Sequence, residues 1–197
     1  MTHRNRMLAT GDLVADPARG LFMGNRGILH DERGHIGRAL WKHKSWIICV
    51  LEHKGWHRTV MTPGAYTELF FLDDAVALAA GHRPCALCRR SAFDAYRRAA
   101  GLTSRASDMD DRLHTERAIP RTFGQRRYQT DAATLPDGAI ILDTIPLLVQ
   151  GDRLRPVSPS GYGDPRPRMT GIVTVLTPPT SVAALKGGFS PVLHPSA

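Results

Sequence analysis

Lysine is nearly absent from this chain. Of its 26 basic residues 22 are arginine, and only Lys42, Lys44, Lys54 and Lys186 are lysine. Long hydrophobic runs are missing as well. The longest, such as Trp46 to Leu51, are strand-sized and fall well short of the roughly 20 apolar residues of a membrane span. The segment Met1 to Gly20 is polar, carries Asp12 and Asp16, and lacks the apolar stretch of a secretory signal. Cysteine is scarce: three residues cannot close into a paired disulfide framework, and a core of this size needs none. No G-x-S-x-G elbow, P-loop or dinucleotide fingerprint occurs, which removes the usual signatures of α/β-hydrolases and nucleotide-dependent enzymes. There is no internal repeat and no low-complexity tract. With 42% hydrophobic and 22% charged residues, a disordered or fibrous chain is excluded. The expectation is a cytoplasmic chain with no membrane partner and room for about one domain.

What is abundant is positive charge. Twenty-six basic against 18 acidic side chains give +8 at pH 7, with a pI near 10.0. A basic surface concentrates and steers polyanions. Arginine adds a planar fork that grips phosphate through two parallel hydrogen bonds. DNA or RNA is therefore the expected partner.

The hydrophobic pattern changes period along the chain. Residues 1–22 read as an extended arm. Short β-like runs follow at Gly27 to His30, His35 to Trp41, Trp46 to Glu52, Trp56 to Met61 and Tyr66 to Leu72, punctuated by Gly-containing turns, so an antiparallel meander is expected. A helix is expected from Asp73 or Asp74 to Ala80, stopped by Gly81, and another from Cys88 to Ala100. Ser107 and Asp110 have the spacing of a capping box for a third, running to about Arg117. Arg121 to Thr130 reads as a polar, Arg-rich loop. Strands return at Gly138 to Leu142, Pro146 to Gln150, Leu154 to Val157 and Gly171 to Leu176, and a short helix opens at Pro178-Pro179. The fold class is α+β: a meander with short helices around a zinc knuckle (residues 23–104), then a helix and a β-rich part (residues 105–197), packed as one domain.

The sharpest local signal is Arg83-Pro84-Cys85-Ala86-Leu87-Cys88-Arg89-Arg90. Two cysteines at C-x2-C spacing at the mouth of a helix present two thiolates to one ion, and a tetrahedral zinc site then needs two more ligands. The helix N-terminus and flanking arginines favour thiolate. Cys49, His53 and His57 compete for the remaining positions. On a continuous strand Cys49 and His53 share a face but stand about 13 Å apart at ~3.3 Å per residue, so both ligate only if the strand bulges. His53-Lys54-Gly55-Trp56-His57 brackets a turn that can bring two imidazoles together.

The segment Phe70-Phe71-Leu72-Asp73-Asp74-Ala75-Val76-Ala77-Leu78-Ala79-Ala80-Gly81-His82-Arg83-Pro84-Cys85-x-x-Cys88-Arg89 resembles the second half of the Ada-type zinc-binding domain, a module that repairs methyl phosphotriesters in DNA. Trp46 to Leu51 stands for that family's first strand, Gly55 for its turn, and His53-x3-His57 for its C-x3-C pair, one member of which is the methyl acceptor. The resemblance covers roughly residues 46–92. It implies a zinc-stapled hairpin-plus-helix unit with a DNA-facing surface, and a role in DNA repair or modification. Lys54, Arg58, Arg83, Arg89, Arg90 and Arg97 are the candidate phosphate contacts, with Trp56 or Tyr66 able to stack on a base.

Two enzymatic readings stand beside this one. His30-Asp31-Glu32 upstream of Pro84-Cys85-x-x-Cys88 has the residue types and order of a zinc deaminase. Asp110, Asp111, His114 and Glu116 could hold a divalent metal in a nuclease-like site, or form an ordinary charged helix face. The remaining alternative is a module whose zinc is structural and whose partner is a protein.

Overall fold

Two β-sheets with a buried helix packed against both organise the chain; the structure, a computed structural model, describes residues 2–56 and 59–197. The first sheet uses β1 (Arg6–Met7), β2 (Leu13–Val14), β3 (Phe22–Asn25), β4 (Ile47–Cys49), β5 (Leu69–Phe71) and β6 (Arg83–Pro84), in the order β2-β1-β5-β3-β4-β6. Helices α1 (Asp74–Ala79), α2 (Arg90–Ala99) and α3 (Ala106–Arg117) lie in the middle of the chain. A small ribbon of β7 (Ala118–Ile119) and β8 (Gly124–Gln125) precedes the second sheet. That sheet is built from β9 (Tyr128–Asp131), β10 (Ile140–Leu142), β11 (Pro146–Gln150), β12 (Arg153–Ser158), β13 (Gly161–Tyr162), β14 (Arg166–Pro167) and β15 (Ile172–Val175), and α4 (Pro179–Lys186) follows it. No helix among the described residues is long and apolar enough to cross a membrane.

The mixed α+β class is as expected, and the second sheet contains the antiparallel run β10-β11-β12. The first sheet is not a meander. Its β1 runs parallel to β5 and its β4 parallel to β6. The runs Gly27 to His30 and His35 to Trp41 meet only in a single bridge between His30 and Ile36. The N-terminal segment is no separate arm: Arg6 pairs with Phe70, and Met7 and Leu13 join Val149 and Val175 in one hydrophobic cluster.

Helix α1 shows how local sequence and packing agree. Asp73 caps it, its carboxylate accepting from Val76 N–H at 3.0 Å, and all six helical residues are buried. Small alanines let the helix contribute Ala77 and Leu78 to one cluster and Ala75, Val76 and Ala79 to the other. Gly81, at φ 86°, ends it. A Cβ there would also meet Arg117 Cδ at 2.6 Å, so glycine serves both the turn and the passage of Arg117. Helix α3 starts one residue before the expected Ser107, with Asp108 rather than Asp110 accepting from the Arg105 N–H.

The interior carries charge. Arg83 donates to Asp110 through Nε at 2.8 Å and Nη2 at 2.7 Å, and Ser45 Oγ adds a third bond to that carboxylate. Arg89 makes a similar fork onto the fully buried Asp74. Around Trp46 the arrangement is different. The guanidinium carbons of Arg26 and Arg117 lie 3.7 and 4.2 Å from its ring centre, and both arginines are buried. Their donors go to His82 Nε2 and to the carbonyls of Ala80, Gly81 and Lys44. Neither has a carboxylate partner among the described residues. Burial, then the neighbouring guanidiniums, holds His82 well below the ordinary histidine range, so it is neutral with its proton on Nδ1.

Removing Asp110 strands a buried guanidinium. Asp110→Ala is expected to lower the unfolding free energy by about 3–5 kcal/mol, and loss of the exposed Lys44–Asp111 pair in Asp111→Ala by under about 1 kcal/mol, both read from urea midpoints. His82 titrates only after unfolding, so the unfolded state binds the extra proton and stability falls as pH drops below about 6.5, by up to ~1.4 kcal/mol per pH unit. His82→Gln, which keeps an acceptor for Arg26, should flatten that slope; an unchanged slope would place the effect elsewhere.

Candidate metal centre

The pairing of β4 with β6 builds the site. Ile48 lies opposite Pro84 in the parallel register, and Cys85 N–H donates to the Ile48 carbonyl at 2.9 Å. The next residue on each strand is a cysteine, so Cys49 and Cys85 come side by side. The chain then turns ahead of α2 and returns Cys88 to the same point. The three sulfur atoms all lie within 4.8 Å of one another, and three nearby thiols of this kind can hold a metal ion. None is in a disulfide.

Backbone N–H groups point at the sulfurs. Leu87 N–H donates to Cys85 Sγ at 3.4 Å, Cys88 N–H also serves Cys85, and Val50 N–H serves Cys88. Thiol hydrogen bonds from Cys49 and Cys88 hold Cys85 far below the ordinary thiol range. The same contacts, with Cys85 first and burial added, push Cys49 far up. Cys88 is drawn down by Cys49 and up by Cys85 and burial, and ends above its ordinary value. Metal binding at such a trio requires thiolates and would displace the thiol protons.

His53 lies on the wall of the same cavity, which has a volume of about 230 Å³. Its Nε2 is buried without a hydrogen-bond partner among the described residues. The ~13 Å separation expected from an extended strand does not apply, because β4 stops at Cys49. Lys54 and Gly55, at φ 51° and 69°, make a tight turn closed by Trp56 N–H to the His53 carbonyl at 2.9 Å. His57 and Arg58 lie outside the described residues.

Comparisons with models of known families, with curated proteins and with solved structures find no match. The chemistry of the site therefore rests on its own geometry.

That geometry corrects several expectations. Arg83 and Arg89 do not face phosphate: their side chains are 4% and 7% exposed and spent on Asp110 and Asp74. Lys54 is exposed, Arg90 is exposed beside Asp94, and half-buried Arg97 sits near the Phe93 ring. The Asp110 cluster is dispersed. Asp110 belongs to Arg83, His114 packs edge-on to Trp41 and Trp46, and Glu116 accepts from Thr180 N–H and Oγ at the start of α4. His30 is no deaminase ligand, being buried, bonded to Thr67 Oγ1 at 2.6 Å and outside the sulfur cluster. Trp56 is 66% exposed. No motif in the sequence marks Arg26, Trp41 or Phe123. The density of arginine and aromatics in Arg121 to Tyr128 is a sign of Phe123, but nothing comparable marks Arg26 or Trp41.

If the trio and His53 share one ion, one equivalent of cadmium(II) should produce thiolate-to-metal charge-transfer absorbance and protect all three cysteines from a thiol reagent. A chelator should restore reactivity. Cys49 reacting equally fast with and without the ion would remove it from the ligand set.

Proposed function

We propose that the chain is a cytoplasmic zinc-containing nucleic-acid-binding protein in which a closed Cys3His site staples the end of β4 to the start of α2. The convergence of Cys49, Cys85 and Cys88 carries the reading. Tetrahedral zinc with Zn–S bonds of about 2.3 Å separates its sulfurs by about 3.8 Å, and a trio already within 4.8 Å needs only a small closure. The unpartnered His53 Nε2 on the same cavity is the fourth ligand that this geometry favours. A site with four protein ligands is structural, leaving no open position for substrate. Three unpaired cysteines fit a reducing compartment.

The nucleic-acid half of the reading rests on what surrounds the site. Exposed Trp56 lies on its rim beside exposed Lys54, with exposed Arg90 at the start of α2. A flat ring between cations is what a stacked base and its phosphates require. Among the described residues the buried basic side chains Arg26, Arg83, Arg89 and Arg117 are balanced in number by buried Glu68, Asp73, Asp74 and Asp110, so the excess of eight is not internal. The exposed side chains of Leu51 and Leu87 on the same rim favour the second reading, a protein partner.

Metal analysis of the purified protein should give one zinc per chain, lost in Cys85→Ser and Cys49→Ser; folded, metal-free protein sinks the site. Affinity for a single-stranded oligonucleotide should fall steeply with salt and drop about 5- to 100-fold in Trp56→Ala. Binding that is absent or indifferent to salt favours the protein partner.

A further inference from the structure

We propose that the cavity between Trp41, Phe123 and the buried Arg26 is a binding pocket for a single nucleotide unit, an aromatic base carrying phosphate; its connection to a strand rests on the nucleic-acid reading above. The cavity has a volume of about 240 Å³, and Trp41, Trp46, Phe123, Arg26, Gln125 and Arg127 line it. It is separate from the sulfur cluster, with which it shares no lining residue.

Its walls are aromatic. Trp41 stands 5.2 Å from Trp46 and 4.8 Å from Phe123, ring centre to ring centre. An aromatic cage alone would suggest a cationic guest, but here a guanidinium forms part of the wall. Arg26 donates through Nε and Nη2 to His82 and Ala80, while its Nη1 makes no hydrogen bond to any described residue. With Arg117 on the same indole it makes a basic wall; Asp110 and Glu116 lie near enough to act on Arg117, whereas Arg26 has no carboxylate partner among the described residues, which disfavours a cationic guest. Asp12 is the single carboxylate on the lining, and Thr10 Oγ bonds it at 2.7 Å. An anion supplies what Arg26 lacks, and the rings select one that carries a flat system.

Gln125 and the loop before it fit such a guest. Gln125 Nε2 is fixed by the carbonyls of Ala79 and Leu176 at 2.6 and 3.2 Å, and its Oε1 is buried with no donor among the described residues. Phe123 is held at φ 56° and Arg121 at φ 69°, strained backbone that the β7–β8 ribbon and the Arg126 N–H bond to the Arg117 carbonyl keep in place. Exposed Arg127 is placed to meet phosphate outside. The volume is below the roughly 300–1,000 Å³ of sites for drug-sized ligands, so one base fits and a dinucleotide does not. Such a unit arrives either free or as one residue turned out of a strand.

Titrations of the zinc-loaded protein with the four nucleoside 5′-monophosphates, inorganic phosphate and a single-stranded oligonucleotide, followed by tryptophan fluorescence and calorimetry, test this. At least one monophosphate should bind more tightly than inorganic phosphate. Phe123→Ala and the surface change Arg127→Gln should each weaken it about tenfold, whereas Arg153→Gln on β12 should not. Binding of monophosphate and oligonucleotide, both weakened by Phe123→Ala, supports the pocket as a seat for a turned-out nucleotide. Monophosphate binding without oligonucleotide binding supports it as a free-nucleotide site and removes the nucleic-acid reading instead. Salt-dependent oligonucleotide binding with no monophosphate binding, and no effect of either substitution, overturns the pocket and leaves the nucleic-acid reading standing. Monophosphates binding no better than phosphate, or not at all, also overturn it.

Discussion

Two backbone hydrogen bonds between β4 and the chain around β6, from Arg83 N–H to the Trp46 carbonyl and from Cys85 N–H to the Ile48 carbonyl, set the positions of everything chemical in this molecule. Strand β4 has three residues. Trp46, just before it, is the aromatic floor on which Arg26 and Arg117 rest, and Cys49, at its end, is one corner of the sulfur cluster. A slip of one residue in this parallel pairing would move Cys49 away from Cys85 and detach Trp46 from the bend at Gly81. Few residues hold the register, so the ion pair of Arg83 with Asp110 on α3 matters beyond its own energy: it anchors β6 from the other side.

The scarcity of lysine follows from how arginine is used inside. Arg83 and Arg89 each grip a buried carboxylate through two nitrogens, and Arg26 and Arg117 lie against an indole while donating to carbonyls and a histidine. All four roles need a planar, weakly hydrated fork; an ammonium on a flexible stem offers a point charge that is costlier to bury. Basic composition is thus partly an internal building material, and only the remainder can steer a polyanion.

The sequence disclosed whatever depends on local rules. Asp73 and Gly81 bracket α1 because capping and left-handed backbone are short-range requirements, and strands β10 to β12 show because their apolar residues alternate between turns. The C-x2-C pair pointed to a cluster that could hold a metal ion, and Cys49 was among its candidate partners. What stayed hidden depends on partners distant in sequence. Arg83 reads as a free cation until Asp110, 27 residues on, is brought against it. His53 reads as out of reach on a continuous strand because nothing local marks the end of β4 at Cys49. The parallel pairings are equally illegible, since hydrophobic alternation does not encode strand direction.

The adjacent carboxylates of Asp73 and Asp74 have a consequence in time. Asp73 accepts from His194 N–H and Tyr162 Oη, and Asp74 from Arg89 and Val192 N–H, across separations of up to 121 residues. Loops that long close late, because their ordering entropy must be met before the contact forms. During synthesis the sulfur cluster and α1 emerge well before residues 192–194 exist to complete the donors on these two carboxylates. The three cysteines can therefore come together on a half-finished scaffold, before the C-terminal segment supplies its bonds to the cap of α1.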